Sequence, residues 1–328
     1  MTRPEIELAD TVGRRALVRF LSEFPGESRD AASWTRRLAD FWEHNPVGGP
    51  RGWVLLDGDR VVGFRGLIPQ RFRVDGRDVV GVGGTTWRIL PSHQGSAVSL
   101  LLQHRGLRLE GPLLATTPAP HVEPIIERLG YQRLSPTGMR RITMIPMAPL
   151  AGHPIASRLG RWCSRLFPEV VGGWRVCAPE KVGFDRLWAA TADLARFTRT
   201  RDALSMGWFV RDRHLLVRGP AENPTAFAVF GADTVRGHPA LRMLDYWPPP
   251  RTGGSLRALV RRLLLDPFGG AYAMTLMHHP NTAFDEALRS SPVPSRPTPG
   301  PAMYCLSLGH PPPETGRYFT LGEGDNLR

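Results

Sequence analysis

The chain contains 328 residues, of which 41% are hydrophobic, and it carries a formal net charge of +12. This length is sufficient for two ordinary domains that bury their cores without disulfides or metals. The sequence has no run of about 18 apolar residues, and its first residues lack the basic-then-apolar pattern of a signal peptide. We therefore expect a cytoplasmic protein without a membrane span.

The positive charge comes almost entirely from arginine, since Lys181 is the only lysine. Arginine binds phosphates and carboxylates through its planar fork, so the charge favours an anionic partner, such as a nucleotide cofactor or an acidic acyl carrier protein. The arginines are scattered rather than gathered in a stripe with aromatic residues, so nucleic acid is not an expected partner. Cys163, Cys177 and Cys305 lie far apart in the sequence, which predicts neither a disulfide framework nor a zinc site.

Hydrophobic periodicity predicts an α+β arrangement in the first half of the chain. The order is two helices, three strands that form an antiparallel meander, and then a helix, a strand, a helix and a strand. The helix over 96–109 would join two parallel strands, so the predicted sheet contains both parallel and antiparallel strands. Helices are predicted over 9–24, 30–45, 96–109 and 121–130, and strands over 52–58, 61–74, 79–90, 112–119 and 131–147.

The second half repeats the element order of the first half after a proline-rich bridge. A shift of 159 residues, for example, places Ser96 on Ser255. Two diverged copies of one unit explain this repetition, although two unrelated α+β halves also align in this way. We therefore predict domains over 1–148 and 181–328, joined by a bridge over 149–180.

A polar turn at 94–99 leads from a predicted strand into a predicted helix. The backbone N–H groups at the start of a helix are unpaired and carry partial positive charge, which favours a pyrophosphate. Gly95 and the small side chains of Ser96, Ala97 and Ser99 would let an anion approach the backbone. A helix that is capped by a serine, without any ligand, fits the same residues.

The first half resembles the GCN5-related N-acyltransferase (GNAT) superfamily. In that family the fourth strand ends in a bulge, and a loop of the form Gln/Arg-x-x-Gly-x-Gly/Ala then opens the third helix. Gln94 matches the first position of this loop, whereas Ala97 and Ser99 replace its later small residues. Farther along the chain, "IIERLGY" is similar to the family's closing motif, with Gly130 at its glycine and Tyr131 at its phenylalanine.

This resemblance, which extends over residues 5–145, implies a fold and a co-substrate. The fold would be α+β, with two GNAT-like domains in tandem, each a mixed, mostly antiparallel twisted sheet flanked by helices. The co-substrate would be a coenzyme A thioester, either acetyl-CoA or a longer acyl-CoA. The residues that would bind it are those of the strand end and the turn, namely Trp87, Arg88, Ile89, Gln94, Gly95, Ser96, Ala97, Val98 and Ser99.

The second copy departs from this motif, because Leu256 and Ala258 stand at its small-residue positions. A leucine side chain there would crowd an incoming pyrophosphate. We therefore expect the first half alone to bind the acyl donor, while the degenerate second half shapes the acceptor pocket.

Acyl transfer to an amine needs a base that accepts the amine proton and a group that protonates the leaving thiolate. A tyrosine commonly protonates the thiolate in the family, but Ile126 occupies its position here. His121 follows a predicted strand and is a candidate base, because histidine titrates near neutral pH. Asp245 and Tyr246 end a strand of the second half and are further catalytic candidates.

Asp202 and Trp208 are candidates for binding the acceptor, because a carboxylate attracts an ammonium group. His278 and His279 form a doubled histidine at a predicted strand end, but no carboxylate stands near them in the sequence. We therefore expect no metal site.

The sequence as a whole predicts an N-acyltransferase. It would move an acyl group from acyl-CoA, or from an acyl carrier protein, to the amine of a small molecule or peptide by direct attack in a ternary complex. Two alternatives remain open: a non-catalytic protein that binds acyl-CoA or another ligand, and an aminoacyl-tRNA-dependent transferase. The degraded turn motif and the missing tyrosine favour the first alternative, and the surplus of arginine suits the second.

Overall fold

The structure is a computed structural model, and it describes residues 4–107, 109–116, 118–134, 141–146, 172–235, 237–249, 253–265, 271–278, 296–299, 302–307, 313 and 315–320. Most of the predicted bridge over 149–180 lies outside the described residues, as do Cys163, His279 and the residues after 320.

Fifteen strands and seven α-helices are described. The strands are β1 (Glu5–Leu8), β2 (Gly52–Asp57), β3 (Arg60–Val74), β4 (Arg77–Ile89), β5 (Leu113–Ala115), β6 (Gln132–Arg133), β7 (Arg141–Pro146), β8 (Trp174–Val176), β9 (Phe197–Arg199), β10 (His214–Arg218), β11 (Ala226–Val235), β12 (His238–Trp247), β13 (Ala273–His278), β14 (Arg296–Pro299) and β15 (Tyr304–Leu306). The helices are α1 (Arg14–Ser22), α2 (Ala31–Leu38), α3 (Ala97–Leu102), α4 (Glu123–Arg128), α5 (Phe184–Thr191), α6 (Ala203–Phe209) and α7 (Gly253–Leu265).

The strands form two mixed sheets. The first sheet has the order β1-β2-β3-β4-β5-β15-β6, with β9 paired to one end of β3, and the second has the order β14-β7-β13-β12-β11-β10-β8. Among the described strand pairs, β4 with β5 and β12 with β13 are parallel, and the others are antiparallel. The predicted α+β fold, built from mixed and mostly antiparallel sheets, is confirmed.

Helices pack against both faces of each sheet. Successive side chains of a strand point to opposite faces, so one strand contributes to the core on both sides. In β11, Ala228 and Phe230 pack toward α7, whereas Phe227 and Val229 pack toward α5 and α6. In the first sheet, one face packs against α1 and α2 and the other against α3 and α4. The site described below lies on the α3 and α4 side.

The two sheets exchange strands across the predicted domain boundaries. Strand β15, from the end of the second half, lies between β5 and β6 of the first sheet. Strand β7, from the first half, lies between β14 and β13 of the second sheet. The predicted strand over 131–147 is therefore divided between the two sheets, and neither sheet is built from one half of the chain alone.

Tyr304 anchors the inserted strand β15 to the first sheet. Its hydroxyl group accepts a hydrogen bond from Nη2 of Arg133 at 2.8 Å and lies 2.7 Å from Oε2 of Glu123 on α4. Burial, reinforced by the Glu123 carboxylate, raises the pKa of Tyr304 to about 12. The phenol is therefore protonated at neutral pH, and its O–H group donates a hydrogen bond within this cluster.

The second sheet repeats the central feature of the first. Like β4 and β5, strands β12 and β13 run parallel and are joined through a helix, α7. Each of β4 and β12 also carries an irregularity in its pairing, at Thr86 and at Leu244. Leu244 lies within one residue of the position that the 159-residue shift assigns to Thr86, which supports the interpretation of two diverged copies.

The predicted helix over 96–109 is wrong in its length. Residues Pro91–Ser96 form a tight 3₁₀ turn, α3 covers only Ala97–Leu102, and a second 3₁₀ turn follows over Gln103–Gly106. Proline fits the first turn of such a segment because it has no N–H to donate. Ser96 precedes α3 but makes no capping hydrogen bond through its side chain, so the predicted serine cap does not form.

Candidate functional site

The pairing of β4 with β5 ends at a bulge in β4. The two strands pair only over Val82–Gly84 and Leu113–Ala115. Immediately beyond, Thr86 is an extra residue in the β3–β4 register and has a φ of 41°. A bulge bends and twists the strand that carries it, and positive φ is strained for a β-branched residue. The bulge therefore marks the point at which β4 and β5 stop pairing.

A cavity of about 620 Å³ opens at this point, between β4, α3 and α4. Its size is that of a small-molecule site. Apolar side chains such as Ile89, Leu101 and Ile125 form much of its wall. Its polar lining residues are Arg65, Thr85, Thr86, Gln94, Thr116, His121 and Tyr131, and no aspartate or glutamate is among the described lining residues.

Four of the residues that were predicted to bind the co-substrate line this cavity: Trp87, Ile89, Gln94 and Ala97. Trp87 and Ile89 share one face of β4, while Arg88 points to the other, where it pairs with Glu27 at 2.6 Å. Gly95, Ser96, Val98 and Ser99 are not among the lining residues. The structure thus brings together one face of the strand end and two residues of the turn.

The turn exposes fewer free amides than the sequence suggested. The N–H group of Ala97 donates to the carbonyl of Gln94, and the N–H group of His93 donates to the carbonyl of Leu90 at 2.8 Å. These donors are used within the 3₁₀ turn. An anion at this turn would therefore depend more on Gln94 and on the remaining backbone groups than on a regular helix start.

His121 also lines the cavity, at an exposed position just before α4. Ile126, which stands where the family has its tyrosine, lines the same cavity from α4. The candidate base, His121, and the residue at the position of the family's tyrosine, Ile126, therefore line the same cavity.

Asp245 and Tyr246 lie elsewhere. Asp245 is 0% exposed, and its carboxylate accepts hydrogen bonds from Arg199 and Arg201 at 2.9 Å and from Thr320 at 3.0 Å. Burial alone would raise the pKa of Asp245, but the guanidinium groups of Arg201 and Arg199 hold this pKa below its ordinary value. Tyr246 is buried against Trp174. Neither residue lines the cavity, so their predicted catalytic roles have no support in the geometry.

Asp202 and Trp208 join the two halves of the chain instead of lining the cavity. Asp202 caps α6 by accepting from the N–H group of Ser205 at 2.8 Å, and it pairs with Arg71 of β3. The indole Nε1 of Trp208 donates to the carbonyl of Asp40 at 2.7 Å. Both predicted acceptor-binding residues therefore have structural partners.

The sequence interpretation gave no site role to Arg65, Tyr131 and His104, which meet beneath α3. Arg65 is 4% exposed and donates to the carbonyl of Leu101 and to the hydroxyl of Tyr131, both at 2.7 Å. His104 is buried, and its Nδ1 lies 2.5 Å from the same carbonyl of Leu101. A single arginine inside the apolar run "VVGFRGLIP" was the available signal for this cluster.

We expect His104 to make the fold sensitive to mild acid. Burial, followed by the nearby charge of Arg65, lowers the pKa of His104 below its ordinary value of 6.5. As the pH falls through 6.5, His104 binds a proton in the unfolded chain but stays neutral in the folded chain. The free energy of unfolding should therefore fall below pH 6.5, with a contribution of at most about 1.4 kcal/mol per pH unit from this histidine.

Denaturant titrations between pH 5 and pH 7.5 would measure this effect. The slope of stability against pH should be smaller in His104→Asn than in the unmodified protein. His214, whose pKa is also lowered by burial, should account for part of the slope that remains. An identical slope in His104→Asn and in the unmodified protein would contradict the expectation.

Comparison with known proteins identifies the fold. No protein-family model and no curated protein sequence matches this chain. A GCN5-related N-acetyltransferase from Anabaena variabilis matches in structure with a TM-score of 0.61 and 12% identity, over 93% of this chain and 73% of that one. A GCN5-related N-acetyltransferase from Kribbella flavida has a TM-score of 0.58 and 16% identity, over 92% and 71% of the two chains.

N-myristoyltransferase from Saccharomyces cerevisiae, solved with bound myristoyl-CoA, is also similar. Its TM-score is 0.56 at 12% identity, and the match covers 94% of this chain and 83% of that one. The predicted resemblance to the GNAT superfamily is thus confirmed at the level of the fold, and the two sheets correspond to two GNAT-like lobes. The likeness in sequence is too low to carry an activity across.

Within the described ranges, no helix has the length and apolarity that crossing a membrane requires. In the same part of the chain, no three histidine, cysteine, aspartate or glutamate side chains are grouped so that they could hold a metal ion.

Proposed function

We propose that this protein is an N-acyltransferase that uses a coenzyme A thioester as its donor. The observation that carries the proposal is the cavity at the bulge of β4, where β4 and β5 stop pairing under α3 and α4. The similar N-myristoyltransferase was solved with myristoyl-CoA, which supports the choice of donor. The acceptor would be the amine of a small molecule or a peptide, and an acidic acyl carrier protein is a second possible carrier.

In this proposal the donor lies along the cavity wall of β4. Trp87 and Ile89 present their side chains to the cavity, and their strand would offer backbone groups to the amide arm of the donor. Gln94 and Ala97 would lie close to its diphosphate. The other residues that were predicted to contact the donor do not line the cavity, so their contacts stay predictions. They are Arg88, Gly95, Ser96, Val98 and Ser99.

His121 is the group that we propose to accept the amine proton, because it is the only described histidine in the cavity wall. The neutral amine would attack the thioester carbon, so that a C–N bond forms as the C–S bond breaks. The proton passes to His121, and the electron pair of the C–S bond leaves with the CoA sulfur. The reaction needs no covalent intermediate on the protein.

The second lobe is proposed to shape the acceptor pocket and not to bind CoA. Leu256 is 1% exposed and packs into the core between α7 and the second sheet. The 159-residue shift places Leu256 on Ala97, which lines the cavity of the first lobe. We accordingly keep the predicted domains over 1–148 and 181–328 as a functional division of donor and acceptor roles.

Calorimetric titration of the whole protein with CoA, acetyl-CoA and myristoyl-CoA tests the proposal. We expect one molecule of thioester to bind per chain, and native mass spectrometry should show the same stoichiometry. If none of these compounds binds or raises the melting temperature, the proposal is wrong.

Release of the CoA thiol in the presence of an amine panel then separates an enzyme from a binding protein. Turnover should be lowered in His121→Gln while the affinity for the donor stays within about threefold, since a base acts in the chemical step. Binding without thiol release from any acyl-CoA would favour the non-catalytic alternative, which the isoleucine at position 126 also favours.

A further inference from the structure

Arg65 is a buried cation at the wall of the cavity. It is 4% exposed, and within the described residues no carboxylate pairs with it. Its partners are two neutral oxygens, the carbonyl of Leu101 and the hydroxyl of Tyr131. A buried charge is costly unless an opposite charge and hydrogen bonds compensate it, so this arrangement is incomplete for a guanidinium group.

The surroundings of Arg65 are suited to an anion. Two of its hydrogen bonds go to protein oxygens, which leaves further N–H groups of the guanidinium to donate. Tyr131 accepts from Arg65, and burial raises the pKa of Tyr131, so its own proton stays available for donation. The indole Nε1 of Trp87, in the same wall, is buried and has no hydrogen-bond partner among the described residues.

Arg65 also lies beside the bulge in β4, in the wall of the cavity. It is the cross-strand neighbour of Trp87 and is adjacent to the irregularity at Thr86. Its guanidinium donates to Leu101 of α3 and to Tyr131, which lies between α4 and β6. The turn at 91–96 lies at the opposite end of α3 from Leu101, which separates Arg65 from the proposed diphosphate position.

We propose that Arg65 and Tyr131 bind a carboxylate at the far end of the acyl group, so that the donor is the CoA thioester of a dicarboxylic acid. Planar guanidinium matches a carboxylate in geometry as well as in charge. The ligand carboxylate would supply the counter-charge that the described residues do not. This inference rests on the proposed use of acyl-CoA and adds the class of acyl group.

Calorimetry with stable donor analogues, in which CH₂ replaces the thioester sulfur, tests this assignment. Butyryl and succinyl groups have the same chain length but differ in the terminal carboxylate, and the succinamoyl group is the neutral isostere. We expect the unmodified protein to bind the succinyl analogue roughly ten- to a hundredfold more tightly than either neutral analogue, as for a hydrogen-bonded charged group. Equal affinities would overturn the assignment.

Variants locate the effect on the chain. Arg65→Met should bring the ratio of succinyl to butyryl affinity close to one while leaving the affinity for CoA itself within about threefold. Tyr131→Phe keeps the ring and should remove only part of the preference. If Arg65→Met lowers the affinities for CoA and for succinyl-CoA by the same factor, Arg65 contacts the phosphates, and the inference is wrong.

These measurements distinguish a failure of the dicarboxylic donor from a failure of the proposed function. If Arg65→Met does not fold, the comparison of succinyl with succinamoyl in the unmodified protein still decides the matter. If butyryl binds as tightly as succinyl, the acyltransferase proposal stands and the dicarboxylic donor is wrong. If neither the analogues nor CoA binds, the proposed function itself fails.

Discussion

Asp245→Ala should lower the free energy of unfolding by about 3–5 kcal/mol, the largest loss of stability that we expect from a single substitution. The carboxylate is 0% exposed and compensates two buried guanidinium groups, those of Arg199 and Arg201. Removing it takes this negative charge away from two cations that stay buried. Arg199 belongs to β9 of the first sheet and Asp245 to β12 of the second, so the loss should also weaken the junction of the lobes.

Equilibrium unfolding in urea, followed by fluorescence and circular dichroism, measures this effect. The matched control is Asp10→Ala, which breaks the exposed pair of Asp10 with Arg51. That control should cost less than about 1 kcal/mol, because water and side-chain entropy offset most of the attraction in exposed pairs. Similar losses in both variants would show that the buried cluster does not stabilise the fold.

Ala97→Trp should reduce the affinity for a CoA thioester at least about a hundredfold, which corresponds to about 2.7 kcal/mol of binding free energy. Ala97 lines the cavity at the first position of α3. An indole at this position would occupy space that the proposed donor needs between α3 and β4. The measurement is calorimetric titration with acetyl-CoA, after the melting temperature has shown that the variant is folded.

Val98→Trp provides the control, because Val98 is the next residue of the same helix and is 43% exposed. It adds the same indole outside the cavity, so the affinity should stay within about threefold of the unmodified protein. The pair also tests the prediction that Val98 contacts the donor. Equal loss in both variants would support that prediction, whereas no loss in Ala97→Trp would place the donor elsewhere.

Much of the local architecture could be predicted from sequence, because it depends on neighbouring residues. The apolar run of β3 is typical of a strand that is buried on both faces, and its residues from Val61 to Gln70 are buried. The turns at Gly58 and Gly76 adopt the positive φ that glycine allows. Gln94 and Ala97 were predicted near the donor because a motif of fixed spacing places them after β4. The resemblance also placed Ile126 at the position of the family's tyrosine, and Ile126 lines the cavity.

The site residues in the second half were assigned less successfully, and the reason is burial. Asp245 follows an apolar run, a position that is equally suited to a catalytic carboxylate and to a buried ion pair. The difference depends on Arg199 and Arg201, which are more than forty residues away and reach Asp245 only in the folded chain. Sequence position alone contains no information about such a partner.

The sequence by itself determined the fold class, the repeated order of elements and the turn that follows β4, since these depend on periodicity and local backbone preference. The tertiary structure alone decided the exchange of β7 and β15 between the sheets, because pairing between distant strands leaves no local pattern. It also decided that Arg65 lies at the cavity, where its partners among the described residues are neutral oxygens. A buried charge and its compensation are properties of the packed chain, and they appear only when Leu101 and Tyr131 are brought against β3.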